Sequence, residues 1–388
     1  AWACASDAAG PTNAFVQGGN AFGSTATLGT TDNQPVHVIA NGQRMIRYEP
    51  VAISPNVIGG HFGNGVTAGV RGATIAGGGA AVNTDPDLPS EIPNLVTDHY
   101  GTVGGGLANR AGDGAGTTFD GALATVGGGR LNVASGFQSA IGGGLSNAAS
   151  GAQSTVGGGS NNEAIGTYAT VGGGTSNDAI GEHSAVAGGG FNVASGGYAT
   201  VAGGQFNLAE GDHSFAAGYR AKALGNGSFS FADASEFDFS ATTDNAFRVR
   251  ATGGVIFVTD INLSGTPTWA CLTTSGAGWT CASDRRLKQD LALLDGADVL
   301  ARLARLPLYA WSPKGRNAHV RHYGPMAQDF MAAFGLGEDD TMIGMQDADG
   351  VALAAIQGLN AKLEQATSVI GALSARLQAL EAWLAAAP

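Results

Sequence analysis

Two short stretches hold the side-chain types that can do covalent chemistry. The first is Ser283-Asp-Arg-Arg-Leu-Lys288, with a hydroxyl at one end and a primary amine at the other. A serine hydroxyl becomes a nucleophile only with a base beside it. A lysine amine is a base only when neutral, and at its ordinary pKa of about 10.4 it is charged at pH 7. Burial lowers that value, so such a pair works only where packing dries the amine. Taken alone, Ser-Asp before an apolar run also reads as a helix N-cap, and Lys288 as a solvated side chain. The second stretch is Arg321-His-Tyr-Gly-Pro-Met-Ala-Gln-Asp-Phe330. His322 there can polarise a carbonyl or hold the fold by a hydrogen bond.

Other reactive types are sparse. Cys271 and Cys281 flank Thr273-Thr-Ser-Gly-Ala-Gly278, a candidate hairpin tip. A disulfide closing so short a loop stabilises by ~2–3 kcal/mol and implies an oxidising exterior. Two buried thiols are the other reading. Cys4 has no evident partner, and Ala1-Trp-Ala3 before it resembles the tail of a signal-peptide cleavage site. Asp347-Ala-Asp-Gly350 opens like a calcium loop but lacks the later ligands, so a turn is expected there. No metal and no cofactor is expected.

The chain that must position these residues is dominated by a repeat. Val126-Gly-Gly-Gly recurs every 15 residues as Ile141, Val156, Val171, Val186 and Val201, the last two with Ala-Gly-Gly. Asn132, Asn147, Asn162, Asn177, Asn192 and Asn207 hold one register, and Gly136, Gly151, Gly166, Gly181, Gly196 and Gly211 another. A fixed short period marks a solenoid. Fifteen residues suffice for two short strands and two tight turns. Thr125, Ala140, Thr155 and Thr170 beside the aliphatics suit a strand. Asn and Gly tolerate positive φ and are expected in the turns. Ala134, Ala149, Ala164, Ala179, Ala194 and Ala209 are expected to point inward. Each turn buries about one aliphatic and a few alanines, which is little against its ordering entropy. The expected architecture is therefore a mainly β, trimeric parallel β-roll, with the glycine run letting backbones approach closely.

The remaining segments divide by composition. Residues 1–52 lie outside the repeat, and Asn41-Gly42 between Val36-His-Val-Ile39 and Arg44-Met-Ile-Arg47 signals a hairpin, hence a β cap or attachment domain. Residues 53–125 read as an irregular start of the roll with insertions, and 126–233 as its regular part. Residues 234–282 read as a β stem through Phe247-Arg-Val-Arg250 and Gly254-Val-Ile-Phe-Val258. From Ser283 onward lie 10 of the 19 Lys and Arg but only 9 of the 64 Gly, which marks a domain boundary. Residues 283–352 form a small α+β domain in this reading. Residues 353–388 form a coiled coil, because Ile356, Leu359, Leu363, Ala366, Ile370, Leu373, Leu377, Leu380 and Leu384 alternate spacings of three and four.

Composition narrows the function. A net charge of −12 without a basic stripe argues against nucleic acid. No apolar run reaches the ~20 residues of a membrane span. The region before Ser283 is low in charge and shows no clustered set of Asp, Glu and His. Residues 126–211 hold only Glu163, Asp178, Glu182 and Glu210 as carboxylates, scattered and none repeated at the same coil position with a partner, whereas glycosidases need a paired set.

The repeat region, roughly residues 53–233, resembles the head repeats of trimeric autotransporter adhesins and similar phage fibre shafts. From Ser283 to the C-terminus, Ser-Asp-x-x-x-Lys followed by His-x-Gly-x-Met-Ala-Gln-Asp resembles the endosialidase-type intramolecular chaperone domain of phage tailspikes and tail fibres. That resemblance implies a domain that trimerises the β-rich fibre upstream and then cuts itself off. It implies Ala282–Ser283 as the cleaved bond, Ser283 as nucleophile and Lys288 as base, with Asp284 and His322 in support. The expected protein is an extracellular homotrimeric fibre or adhesin, carried by a virion tail or a cell surface, with a surface glycan or receptor as its partner. An uncleaved structural filament and a polysaccharide-degrading tailspike are the alternatives.

Overall fold

The computed structural model describes residues 25, 27–80, 93–261, 267–273, 279–281, 285–314, 319–337 and 339–386. The chain divides into two compact units, Ala1–Phe257 with Cys271–Thr280, and Val258–Ala270 with Cys281–Pro388.

The first unit is a parallel β-solenoid of about twelve turns. Its entry is a hairpin of β1 (Val36–Ala40) and β2 (Gln43–Glu49). Asn41 and Gly42 make the turn at φ 49° and 72°, the geometry that Asn-Gly favours. β2 then pairs antiparallel with β3 (Asn56–Gly59), where the winding begins. From there the chain alternates between a fourteen-stranded and an eleven-stranded sheet. Most strands are two residues long, and each pairs with its equivalent one turn on, as in Ile141 with Val156 and Ala149 with Ala164. Pairing in this register continues to Phe247–Arg250, inside the stretch read as a stem.

The interior is thin. One sheet contributes Val126, Ile141, Val156, Val171, Val186 and Val201, and the other Ala134, Ala149, Ala164, Ala179, Ala194 and Ala209, all buried. Inward-pointing alanines are thus as the repeat predicts. The asparagines are not. They were expected in turns, yet Asn132 through Asn207 are buried and form a ladder. The Asn162 amide and its Nδ2 both donate to Asn147 Oδ1, at 3.0 and 3.1 Å. Nδ2 also donates to the carbonyls of Gly158 and Gly174, each at 2.9 Å. Asn162 Oδ1 in turn accepts from the Asn177 amide and Nδ2. The side chain supplies partners that these buried backbone groups would otherwise lack. Positive φ falls instead on outward residues, 54° at Asn161 and 60° at Tyr168 in that turn.

Glycine is required for close approach between turns of one chain. A Cβ on Gly166 would sit 2.0 Å from the Gly181 carbonyl oxygen. The third glycine of each triplet adds positive φ, as at Gly159 (89°). The middle glycine is different: around Gly158 the nearest atom outside its own neighbourhood is 3.9 Å away. No clash within the chain demands a glycine there, although the backbone does at the equivalent Gly173 and Gly203, whose φ values are 158° and 139°. On the outer corners identical positions stack, Tyr168 on His183 at 4.6 Å, His183 on Tyr198 at 4.8 Å and Tyr198 on His213 at 5.1 Å. Those distances follow the spacing between strands.

The second unit has its own core of Leu306, Phe330 and Val351, with Val299, Leu303, Ala333, Phe334 and Ile343 packed on it. Helix α1 (Gly296–Leu303) starts where Asp295 caps it, its Oδ1 accepting from the Ala297 amide at 2.9 Å. Helix α2 (Ala327–Phe334) stops at Gly335, whose φ is 69°. Helix α3 (Met345–Ala385) is 41 residues long. α1 and α3 meet at glycines, since a Cβ on Gly358 would lie 2.0 Å from the Gly296 carbonyl oxygen.

Two outcomes follow from the solenoid. Asn162→Ala orphans several buried backbone and amide groups, at ~1–3 kcal/mol each. It is expected to cost about 3 kcal/mol in guanidinium denaturation, against under about 0.5 kcal/mol for exposed Thr170→Ala. Asp178 lies beside Glu163 in the parallel ladder, so these two carboxylates, read as scattered, in fact share one coil position a turn apart. Burial first, and that neighbouring carboxylate second, raise its pKa. A raised carboxyl pKa favours the folded state below the unfolded value and disfavours it as pH rises through the folded one. Asp178→Asn should therefore raise the denaturation midpoint at pH 7 and leave it unchanged at pH 3.

Candidate functional site

Lys288 and His322 fall in the second unit. Ala282, Ser283 and Asp284 lie outside the described residues, as does Cys4. Cys271 and Cys281 end up in the strands Pro267–Thr273 and Trp279–Cys281, but their side chains lie outside the described set, and so does the disulfide expectation. The apolar run after Ser-Asp opens as one turn of 3-10 helix, Arg285–Leu287, rather than as an α-helix. Lys288 closes that turn, its amide donating to the Arg285 carbonyl at 3.2 Å. Within a single chain Lys288 is exposed.

The second motif builds a strand and a helix. His322–Gly324 pairs antiparallel with Tyr309–Trp311, placing His322 opposite Trp311. Their rings stand 4.7 Å apart at a tilt of 31°. The chain then turns through Pro325 and Met326 into α2, where Asp329 occupies the first turn. Asp329 reaches the phenol of Tyr309. Its negative charge first, then partial burial and a hydrogen bond, raise the Tyr309 pKa. His322 and Asp329 thus flank one short sheet, each against an aromatic residue of its other strand. The Tyr309–Asp329 pair was not anticipated, because only the fold brings the two together.

Two expectations are corrected. Asp347-Ala-Asp-Gly350, read as a turn, is the first part of α3. Its apolar neighbours explain this, since Val351, Ala354 and Ala355 are buried and hold the helix down from its start. The reading of the region before Ser283 as free of clustered acids also fails. Asp98, Asp113 and Asp120 bring carboxylate oxygens within 4.8 Å of one another. The signal in the sequence was the broken period between Val103 and Val126, filled by a loop rich in Gly and Asp.

Along α3 the seam residues Ile356, Leu359, Leu363, Ile370, Leu373, Leu377, Leu380 and Leu384 are 57–65% exposed in the single chain. No helix among the described residues is long and apolar enough to cross a membrane.

Residues 283–335 match the family model for the chaperone of endosialidase. The chain therefore carries a chaperone-of-endosialidase domain downstream of a β-solenoid, a combination that fits a tail-fibre-like protein. No curated protein matches the chain.

Replacing Asp329 removes the charge that disfavours tyrosinate. In an ultraviolet absorbance titration, Asp329→Asn should move the ionisation of one of the seven tyrosines to lower pH. An unchanged titration curve would contradict the pairing.

Proposed function

We propose that the chain is one subunit of an extracellular homotrimeric fibre, on a virion tail or a cell surface. Its domain from residue 283 brings three subunits into register and then severs the Ala282–Ser283 bond. The observation that carries this reading is the family match, which begins at Ser283 itself.

The chemistry is a single turnover. Ser283 Oγ attacks the Ala282 carbonyl carbon while Lys288 takes the hydroxyl proton. The C–N bond breaks as Lys288 returns that proton to the departing Ser283 nitrogen, and Ala282 is left as an ester on Ser283. Water then hydrolyses the ester, giving a carboxylate at Ala282 and a free amine and hydroxyl at Ser283. Asp284 and His322 are supporting residues in this scheme. Lys288 is exposed in the lone chain, and it is a competent base only when desolvated. Packing between subunits would supply that burial, so scission would wait for assembly.

Two features support association. The apolar stripe on α3 has heptad spacing, which suits a coiled coil of identical helices. The middle glycines of the solenoid leave an open, smooth strip on each subunit. A polysaccharide hydrolase finds less support, since the family match covers only the chaperone domain, residues 283–335. The fibre would act by adhesion to a surface glycan or receptor.

Mass spectrometry of the expressed chain tests the scission. Two fragments meeting between Ala282 and Ser283 are expected in the wild type, and an intact chain in Ser283→Ala, with native mass reporting three copies in both. A wild type that stays whole contradicts the cleavage, and a monomeric native mass contradicts the assembly.

A further inference from the structure

The one long interruption of the solenoid within the described turns lies between the strands Arg110–Ala111 and Thr125–Val126. The loop between them is held at two places. The His99 amide donates to the Thr118 carbonyl at 2.9 Å, and the Leu123 amide to the His99 carbonyl at 2.9 Å. At its start the Asp113 amide donates to Asp98 Oδ2 at 3.0 Å, and the Thr97 hydroxyl donates to the same oxygen at 3.0 Å.

Asp98 is an anomaly. It is only 1% exposed, and its Oδ1 is buried without a hydrogen-bond partner. Buried carboxylates are normally paired or bound to a metal. Here the carboxylate faces two others, Asp113 half-buried and Asp120 exposed, with all three ligand oxygens within 4.8 Å of one another. Arg110 approaches the loop at Gly114. Among the described residues, however, no cation forms an ion pair with any of the three carboxylates.

Glycines keep the space around these oxygens clear. A Cβ on Gly112 would lie 2.1 Å from Asp98 Oδ2, one on Gly116 would lie 2.5 Å from Asp120 Oδ2, and one on Gly121 would lie 3.1 Å from Asp98 Oδ2. Calcium binds oxygen at about 2.4 Å, so two ligands across it stand about 4.8 Å apart. Magnesium, at about 2.1 Å, demands a tighter and more regular shell. We propose that Asp98, Asp113 and Asp120 form a calcium site that pins the 112–121 loop to the solenoid. Asp98 is the fixed inner ligand. Asp120, on the exposed side, closes the site from the far end of the loop.

The test is calorimetric titration of the chelator-treated full chain with calcium chloride, to about 5 mM, the weak end for extracellular calcium modules. One saturable site per subunit is expected in the wild type. At least a tenfold loss of affinity is expected in both Asp113→Asn/Asp120→Asn and the isosteric Asp98→Asn. Calcium should also slow proteolytic cutting within residues 112–121 in the wild type alone. The variants must match the wild type in circular dichroism without calcium. Asp347→Asn/Asp349→Asn should bind as the wild type does. No saturable binding, binding that survives the loop substitutions, or magnesium binding as tight as calcium would each overturn the assignment. The result is independent of subunit number and of scission at Ser283.

Discussion

Each turn of the solenoid leaves one asparagine oxygen for the next turn to use. Asn147 Oδ1 receives both the amide and the Nδ2 of Asn162, and Asn162 does the same for Asn177. This ladder fixes the period, because an Asn displaced by one residue would face outward and leave the glycine carbonyls of two turns without donors. The valines and alanines then fall into register behind it. Hydrophobic burial alone would not give that register, since it is non-directional and an interior of one Val and one Ala tolerates slippage. The polar ladder is what makes this thin structure unique.

Much of this was legible in the chain. Val156 and Ala164 recur at fixed positions, and a repeated apolar position can only mean a repeated interior. The hairpin at Asn41-Gly42 was legible because that dipeptide needs positive φ at both positions and has few other uses. The inward asparagines were not. Asn is common both in turns and in buried ladders, and composition cannot say which carbonyls will be left over until the backbone is closed. The start of α3 was missed for a related reason. Asp347 and Gly350 look like turn residues, but Val351, Ala354 and Ala355 anchor the helix by burial, and tertiary packing overrides local preference.

The candidate sites divide in the same way. Ser283 and Lys288 stand close in sequence, so their pairing was readable as a motif. Tyr309 with Asp329 and Asp98 with Asp113 and Asp120 are joined only by folding. Insertions that interrupt a strict repeat are informative in such chains, because every residue in them escapes the demands of the ladder. The assembly proposal rests on complementary features: a narrow solenoid interior, a heptad stripe left open to solvent in one subunit, and a lysine that needs drying before it can accept a proton.

Hydrogen exchange followed by mass spectrometry addresses the ladder most directly. The account predicts slow exchange repeating every 15 residues from Asn132 to Asn207, with Asn and strand amides protected. The amides of Gly128, Gly143 and Gly158, which donate to no backbone carbonyl among the described residues, should exchange fast. Protection without that period, or rapid exchange at the asparagine amides, would contradict it.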